Sequence, residues 1–221
     1  MWQLELFNTA NHLTTHPADL ARIARVPNFQ KVSDDLYRSA QPTAQGLRDL
    51  KSLGIRTVVN LRSFHPNAKE TRKTGLGYEQ IRVKGWYPKE KQVIKFLRLV
   101  TNNRKTPVLV HCQYGTERTG TMCAVYRIAV QGWTQGRALE EMIEGVFGFH
   151  GTRNGNAVQW INNLNIPKIK RKAGIKDSDT ANLREGKTLK VIIKLNFLLI
   201  LHKMATFYFR LFGHHSIFHR R

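Results

Sequence analysis

The chain has 221 residues, with 36 Lys and Arg against 15 Asp and Glu and a formal charge of +21. That length holds one ordinary domain with a full core plus an extension, and the charge favours phosphorylated or otherwise anionic partners without specifying a fold. Two cysteines, Cys112 and Cys123, exclude a disulfide-framed secreted scaffold.

Residues 1 to 27 read as an N-terminal extension. Met1 to Phe7 has neither a basic lead nor a long apolar run, so no secretory signal is expected. Pro17 to Arg25 predicts a short helix. Phe29–Val32 and Leu36–Ser39, split by Ser33-Asp34-Asp35, predict a hairpin. Thr43 is the expected N-cap of a helix that reaches Leu53 and stops at Gly54. Ile55 to Leu61 predicts a buried strand. Arg62 to Gly77 reads as a polar loop at a strand's carboxyl end, the place where open α/β sheets put their sites. Tyr78–Val83 predicts a strand, Gly85–Pro88 a turn, and Glu90–Thr101 an amphipathic helix with Val93, Phe96, Leu97 and Val100 on one face.

The chemistry concentrates in Pro107-Val-Leu-Val-His111-Cys112-Gln113-Tyr114-Gly115-Thr116-Glu117-Arg118-Thr119-Gly120. Pro107 to Val110 predicts a buried strand and Thr119 to Gly132 a helix, so a thiol sits where a strand ends and a helix begins. Free backbone N–H groups and the positive end of the helix dipole make such a position an oxyanion site. The same field favours a thiolate, so Cys112 is expected to be ionised at neutral pH. Arg118, six residues after Cys112, has the planar fork that holds two phosphate oxygens. Cys123 reads as a small buried apolar residue, with a regulatory disulfide to Cys112 as a minor option. Further on, Thr134 caps a helix over Gln135–Glu144, Gly145 to Gly155 is a Gly-rich loop, and Asn156 to Leu164 predicts a last helix. Strands and helices alternate, which predicts an α/β domain with a central, mostly parallel sheet flanked by helices.

His-Cys-x5-Arg-Thr-Gly resembles the signature loop of the cysteine-dependent protein tyrosine and dual-specificity phosphatases. Tyr37-Arg38-Ser39-Ala40-Gln41-Pro42 and Leu53-Gly54-Ile55-Arg56-Thr57-Val58-Val59-Asn60-Leu61-Arg62 narrow the resemblance to compact bacterial and atypical dual-specificity members, over roughly residues 28 to 170, a normal domain size. The resemblance implies that Cys112 attacks phosphorus and that Arg118 holds the phosphoryl group. Thr119 would assist thiolate departure, and His111 would orient the loop. Gln113, Tyr114, Gly115, Thr116 and Gly120 would complete the substrate-binding loop. It implies no metal and no cofactor.

Many members of that family place an acidic Asp some thirty residues before the cysteine. This chain has no Asp between Asp49 and Asp177. Glu117, Glu90, Glu79 and Glu70 are the remaining candidates to protonate the leaving oxygen. Glu117, inside the loop beside Arg118, is the sharpest; an exposed carboxylate balancing basic charge is its bland alternative. Glu90 stands at a helix start, where a carboxylate is favoured without any catalytic role. His65 and His150 carry no specific signal. Trp86 and Tyr87 read either as walls of the substrate pocket or as packing.

The resulting expectation is a phosphatase acting through a phosphocysteine, on protein phosphotyrosine with access to phosphoserine and phosphothreonine. Inositol phosphates or phosphoinositides are the alternative substrates, and a phosphate-binding pseudophosphatase is the rival of another class. No motif supports specific nucleic-acid binding. After Pro167 the chain carries 13 Lys and Arg against 3 Asp and Glu, and Val191 to Leu201 is strongly apolar. Residues 171 to 221 therefore read as a basic linker and apolar tail. A helix lying on an anionic membrane, a helix packed on protein, and an extension foreign to the fold stand as three readings of it. A nucleophilic thiol must stay reduced, which suits the cytoplasm, and the tail would place the enzyme at the periphery of the inner membrane face.

Overall fold

The computed structural model describes residues 25–64, 67–84, 88–144 and 155–176. Its elements in chain order are β1 (Gln30–Lys31), β2 (Leu36–Ser39), α1 (Ala44–Ser52), β3 (Thr57–Asn60), α2 (Ala68–Lys73), β4 (Gly77–Gln80), α3 (Glu90–Val100), β5 (Val108–His111), α4 (Glu117–Ala129), α5 (Gln135–Glu144), α6 (Gly155–Asn162) and α7 (Ile166–Ala173). The five-stranded sheet has the order β1-β2-β5-β3-β4. Only β1 runs antiparallel; β2, β5, β3 and β4 are parallel neighbours. The expected α/β architecture with a mostly parallel sheet is therefore present.

β5 is central because its side chains are apolar on both faces, as a strand covered by helices on both sides requires. Val108 and Val110 join a core of Val93, Phe96, Leu97, Met122 and Val125 from α3 and α4. Leu109, between them, points to the other face and packs with Tyr37, Val58 and the α1 residues Leu47 and Leu50. The period of two places successive residues on opposite faces. α1 begins where expected: the Thr43 hydroxyl accepts the Gly46 N–H, satisfying one orphan donor of the first turn.

Two helices lie where none was expected. α2 falls inside the expected 62–77 loop. It buries only Thr71, so it carries no apolar stripe; the Thr71 hydroxyl instead donates to Asn67 O at 2.7 Å and the Thr74 hydroxyl donates to Thr71 O. α7 covers the basic stretch from Lys168 and spans position 171, where the tail was expected to begin. Asn165 caps it, Gly174 closes it in a left-handed conformation, and Ile169 and Ala173 reach the core. Glu90 of α3 clasps it through Lys168 at 3.1 Å and Lys172 at 2.9 Å. The compact unit closes at Lys176. The expected 17–25 helix apart from Arg25, the core of the 85–88 turn, most of the 145–155 loop and the tail from 177 onward lie outside the described residues.

Candidate active site

The site grows from the carboxyl end of β5. His111 lies in register with Ser39 of β2 and Asn60 of β3, and its carbonyl accepts the Leu61 N–H at 2.8 Å. The next residue, Cys112, is 1% exposed. The chain then turns through residues 113–116 and enters α4 at Glu117. The Gly115 N–H donates to Cys112 Sγ at 3.3 Å. An N–H donor meets this sulfur, and a 13-residue helix begins five residues later with its positive end at the loop, an environment suited to negative charge.

Gly115 is fixed by geometry. Its φ is +76°, and a Cβ there would lie 2.6 Å from the Ser39 carbonyl carbon and oxygen. Only glycine combines that backbone with so close an approach. Arg118 stands half-buried in the first turn of α4, while Thr119 and Gly120 are buried. The Thr119 hydroxyl has no hydrogen-bond partner among the described residues, and neither does Gln113 Oε1. Tyr114 is 67% exposed at the mouth of the loop. Thr116 donates its hydroxyl to the Glu117 carboxylate.

His111 is fully buried, with Nδ1 3.1 Å from the Cys112 carbonyl and Nε2 without a partner among the described residues. Burial pushes its pKa down to about 4, opposed by that backbone contact and assisted by the nearby Arg62 guanidinium. The imidazole is therefore neutral at pH 7.

The other carboxylates are engaged elsewhere. Glu79 sits 3.5 Å from Lys95 and 3.4 Å from Lys105. The two lysine partners of Glu90 hold its carboxyl below the usual carboxylate range. Glu70 lines a shallow groove with Ala44, Arg48, Lys51 and Lys73. Asp49 is bound by Arg25 at 2.8 Å. Of the named candidates, only Glu117 stands in the loop itself. His65, Trp86, Tyr87 and His150 lie outside the described residues. Cys123 is buried, and desolvation raises its pKa. Among the described residues no His, Cys, Asp and Glu group has the makings of a metal site, and no helix is long and apolar enough to cross a membrane.

Sequence reasoning missed three contributors. Arg62 donates to Gln41 Oε1 at 3.3 Å beside the loop. Arg38, 4% exposed on β2, donates to Gly115 O at 2.6 Å. Asn28 donates to Tyr114 O at 2.8 Å. Arg38 and Arg62 stood within the family-like phrases, but nothing local announced their contacts.

The curated protein TpbA of Pseudomonas aeruginosa, a dual specificity protein phosphatase, is 38% identical over 141 residues. The match covers 61% of this chain and 62% of TpbA, so it spans about three-fifths of that relative's length. The crystal structure of P. aeruginosa TpbA superposes with a TM-score of 0.61 at 28% identity, over 76% of this chain and 99% of that one. The catalytic core of the yeast PP-IP phosphatase Siw14 gives 0.58 at 26% identity, over 67% and 93%. A family model described as a DSP-PTPase phosphatase fused to NAD+ kinase matches residues 17–159. More than half of the chain lies in that match, and the chain belongs to this family of dual-specificity and tyrosine phosphatase domains.

Proposed function

We propose that the protein hydrolyses phosphomonoesters through a covalent phosphocysteine. The observation that carries this reading is the buried Cys112 at the end of the central strand, with the Gly115 N–H on its sulfur and the amino end of α4 behind it. The Cys112 thiolate attacks phosphorus in line, forming the S–P bond as the P–O bond to the leaving group breaks. Arg118 and the amides of residues 113 to 118 hold the equatorial oxygens, where charge accumulates. Glu117, the one candidate carboxyl within the loop, gives its proton to the leaving oxygen. Water then attacks the phosphocysteine. Thr119, whose buried hydroxyl has no partner among the described residues, donates to the departing sulfur. His111, neutral and buried, holds the Cys112 peptide in place.

Phosphotyrosine in proteins is the proposed substrate, with phosphoserine and phosphothreonine also accepted. A solved complex of TpbA with phosphotyrosine, 29% identical to this chain, supports it. A second reading, an inositol phosphate substrate, is favoured by similarity to the Arabidopsis inositol diphosphatase DSP5, 32% identical over 124 residues, and by the net charge of +21. Activity on such a polyanion would fall steeply with salt. For the basic and apolar tail we favour an anionic membrane surface on the cytoplasmic side; co-sedimentation with phosphatidylserine vesicles, lost on Lys187, Lys190 and Lys194→Glu, checks it. The test of the activity is hydrolysis of p-nitrophenyl phosphate by reduced protein. Turnover that disappears in Cys112→Ser is expected; a folded wild type that binds vanadate but turns nothing over would make the chain a pseudophosphatase.

A further inference from the structure

We infer that Asn28, Arg38 and the Gln41 amide form an outer brace that turns three successive amides of the cysteine loop toward the sulfur, which makes Asn28 and Arg38 positioning residues for the oxyanion cradle. The inference rests on the phosphatase reading above, because the cradle is where the phosphoryl oxygens would lie.

Three consecutive loop carbonyls each accept a donor from the same stretch of chain, residues 28–41. The Gln41 N–H donates to Gln113 O at 3.1 Å, Asn28 Nδ2 to Tyr114 O at 2.8 Å, and Arg38 Nη2 to Gly115 O at 2.6 Å. The loop peptides are trans. In a planar trans peptide the carbonyl and the next residue's N–H point in opposite directions. Holding the carbonyls of 113, 114 and 115 outward therefore turns the N–H groups of Tyr114, Gly115 and Thr116 inward. The middle one is seen directly, since the Gly115 N–H meets Cys112 Sγ at 3.3 Å.

Successive amides facing one way form an anion-binding nest, which requires a left-handed residue. Gly115 supplies it at φ +76°. The brace has its own unusual residue: Asn28 stands at φ +53°, a region few non-glycine residues occupy. Arg38 rises from β2 at the position paired with Val110, buried beneath the loop. Its bond to Gly115 O is charge-assisted, hence stronger than a neutral one. None of these side chains needs to touch substrate. They remove the reorganisation that a loose loop would undergo on binding an oxyanion.

The test measures tungstate affinity by calorimetry and the pH dependence of Cys112 alkylation by iodoacetamide, on the full, reduced chain. Asn28→Gly removes the tether while keeping a residue that accepts φ +53°. It should leave the melting temperature nearly unchanged, weaken tungstate about tenfold and move the alkylation midpoint to higher pH. Arg38→Met should do both more strongly, and Arg38→Lys should restore part of the loss; if Arg38→Met does not fold, Asn28→Gly decides. A folded Asn28→Gly with wild-type tungstate affinity and alkylation profile overturns the brace while the phosphatase reading stands. A wild type that binds no tungstate overturns both.

Discussion

At the carboxyl end of α4, all three nitrogens of the Arg127 guanidinium are engaged. It pairs with Glu141 through Nε at 2.8 Å and Nη2 at 2.5 Å, donates from Nη1 to Val32 O at 2.8 Å and to Gln131 at 2.6 Å, and lies 4.4 Å from the Trp133 ring. At the amino end of the same helix, His111 Nε2, Gln113 Oε1 and Thr119 Oγ1 are buried without a partner among the described residues. A buried polar atom left unpaired costs roughly 1–3 kcal/mol. One end of the helix thus ties α4 to α5 and to the turn after β1, and the other keeps its polar atoms uncommitted around a thiol. The contrast separates stability from function along a single element: the closed end should govern folding, and the open end should govern turnover.

Substitutions at the two ends should therefore have different readouts. The largest effect is expected from Gly115→Ala at the open end, where the new methyl meets the Ser39 backbone at 2.6 Å on a left-handed residue. Turnover of an aryl phosphate should fall ~1000-fold as the cradle is forced apart. Next is pH. His111 titrates at 6.5 when unfolded and at about 4 when folded, so the unfolded chain binds the extra proton between those values. Stability should be full above pH 6.5 and decline by roughly 3 kcal/mol as pH falls to 4. The urea midpoint of His111→Asn should be flatter across that window. Glu117→Gln should lower kcat ~100-fold on a phosphotyrosine peptide, and much less on p-nitrophenyl phosphate, whose leaving group needs little protonation. The smallest effect on chemistry belongs to the closed end. Glu141→Ala strips the carboxylate from Arg127, whose side chain is 10% exposed against 27% for Glu141. It should cost ~2 kcal/mol of stability in denaturant melts, discounted for that exposure, while the folded fraction keeps kcat within about twofold.

What the sequence showed and what it hid follows from the range of the interactions. The alternation Val108-Leu109-Val110, the Thr43 cap and the Cys112-to-Gly120 loop are local signals, written within a few residues of one another. β5 therefore appears where expected, and α4 starts two residues before the predicted Thr119. α2 was hidden because side-chain hydroxyls and Asn67, rather than an apolar stripe, hold it. In α7 the capping residues Asn165 and Gly174 were present, but the lysines between them masked the Ile169 and Ala173 spacing. The brace around the loop was beyond local reading. Asn28 and Arg38 reach their partners across 86 and 77 residues of chain; the pairing of β2 with β5 carries Arg38 there, and the Ala40 N–H bond to Pro27 O holds the segment before Asn28 beside it.

The central claim is that Cys112 becomes covalently phosphorylated during turnover. The direct measurement is mass spectrometry of reduced protein mixed with p-nitrophenyl phosphate and quenched in acid within the first turnovers. A single phosphoryl group on the peptide containing Cys112, absent in Cys112→Ser, is the predicted result. Turnover that proceeds with no phosphoryl group on that peptide, or that persists in Cys112→Ser, would contradict it.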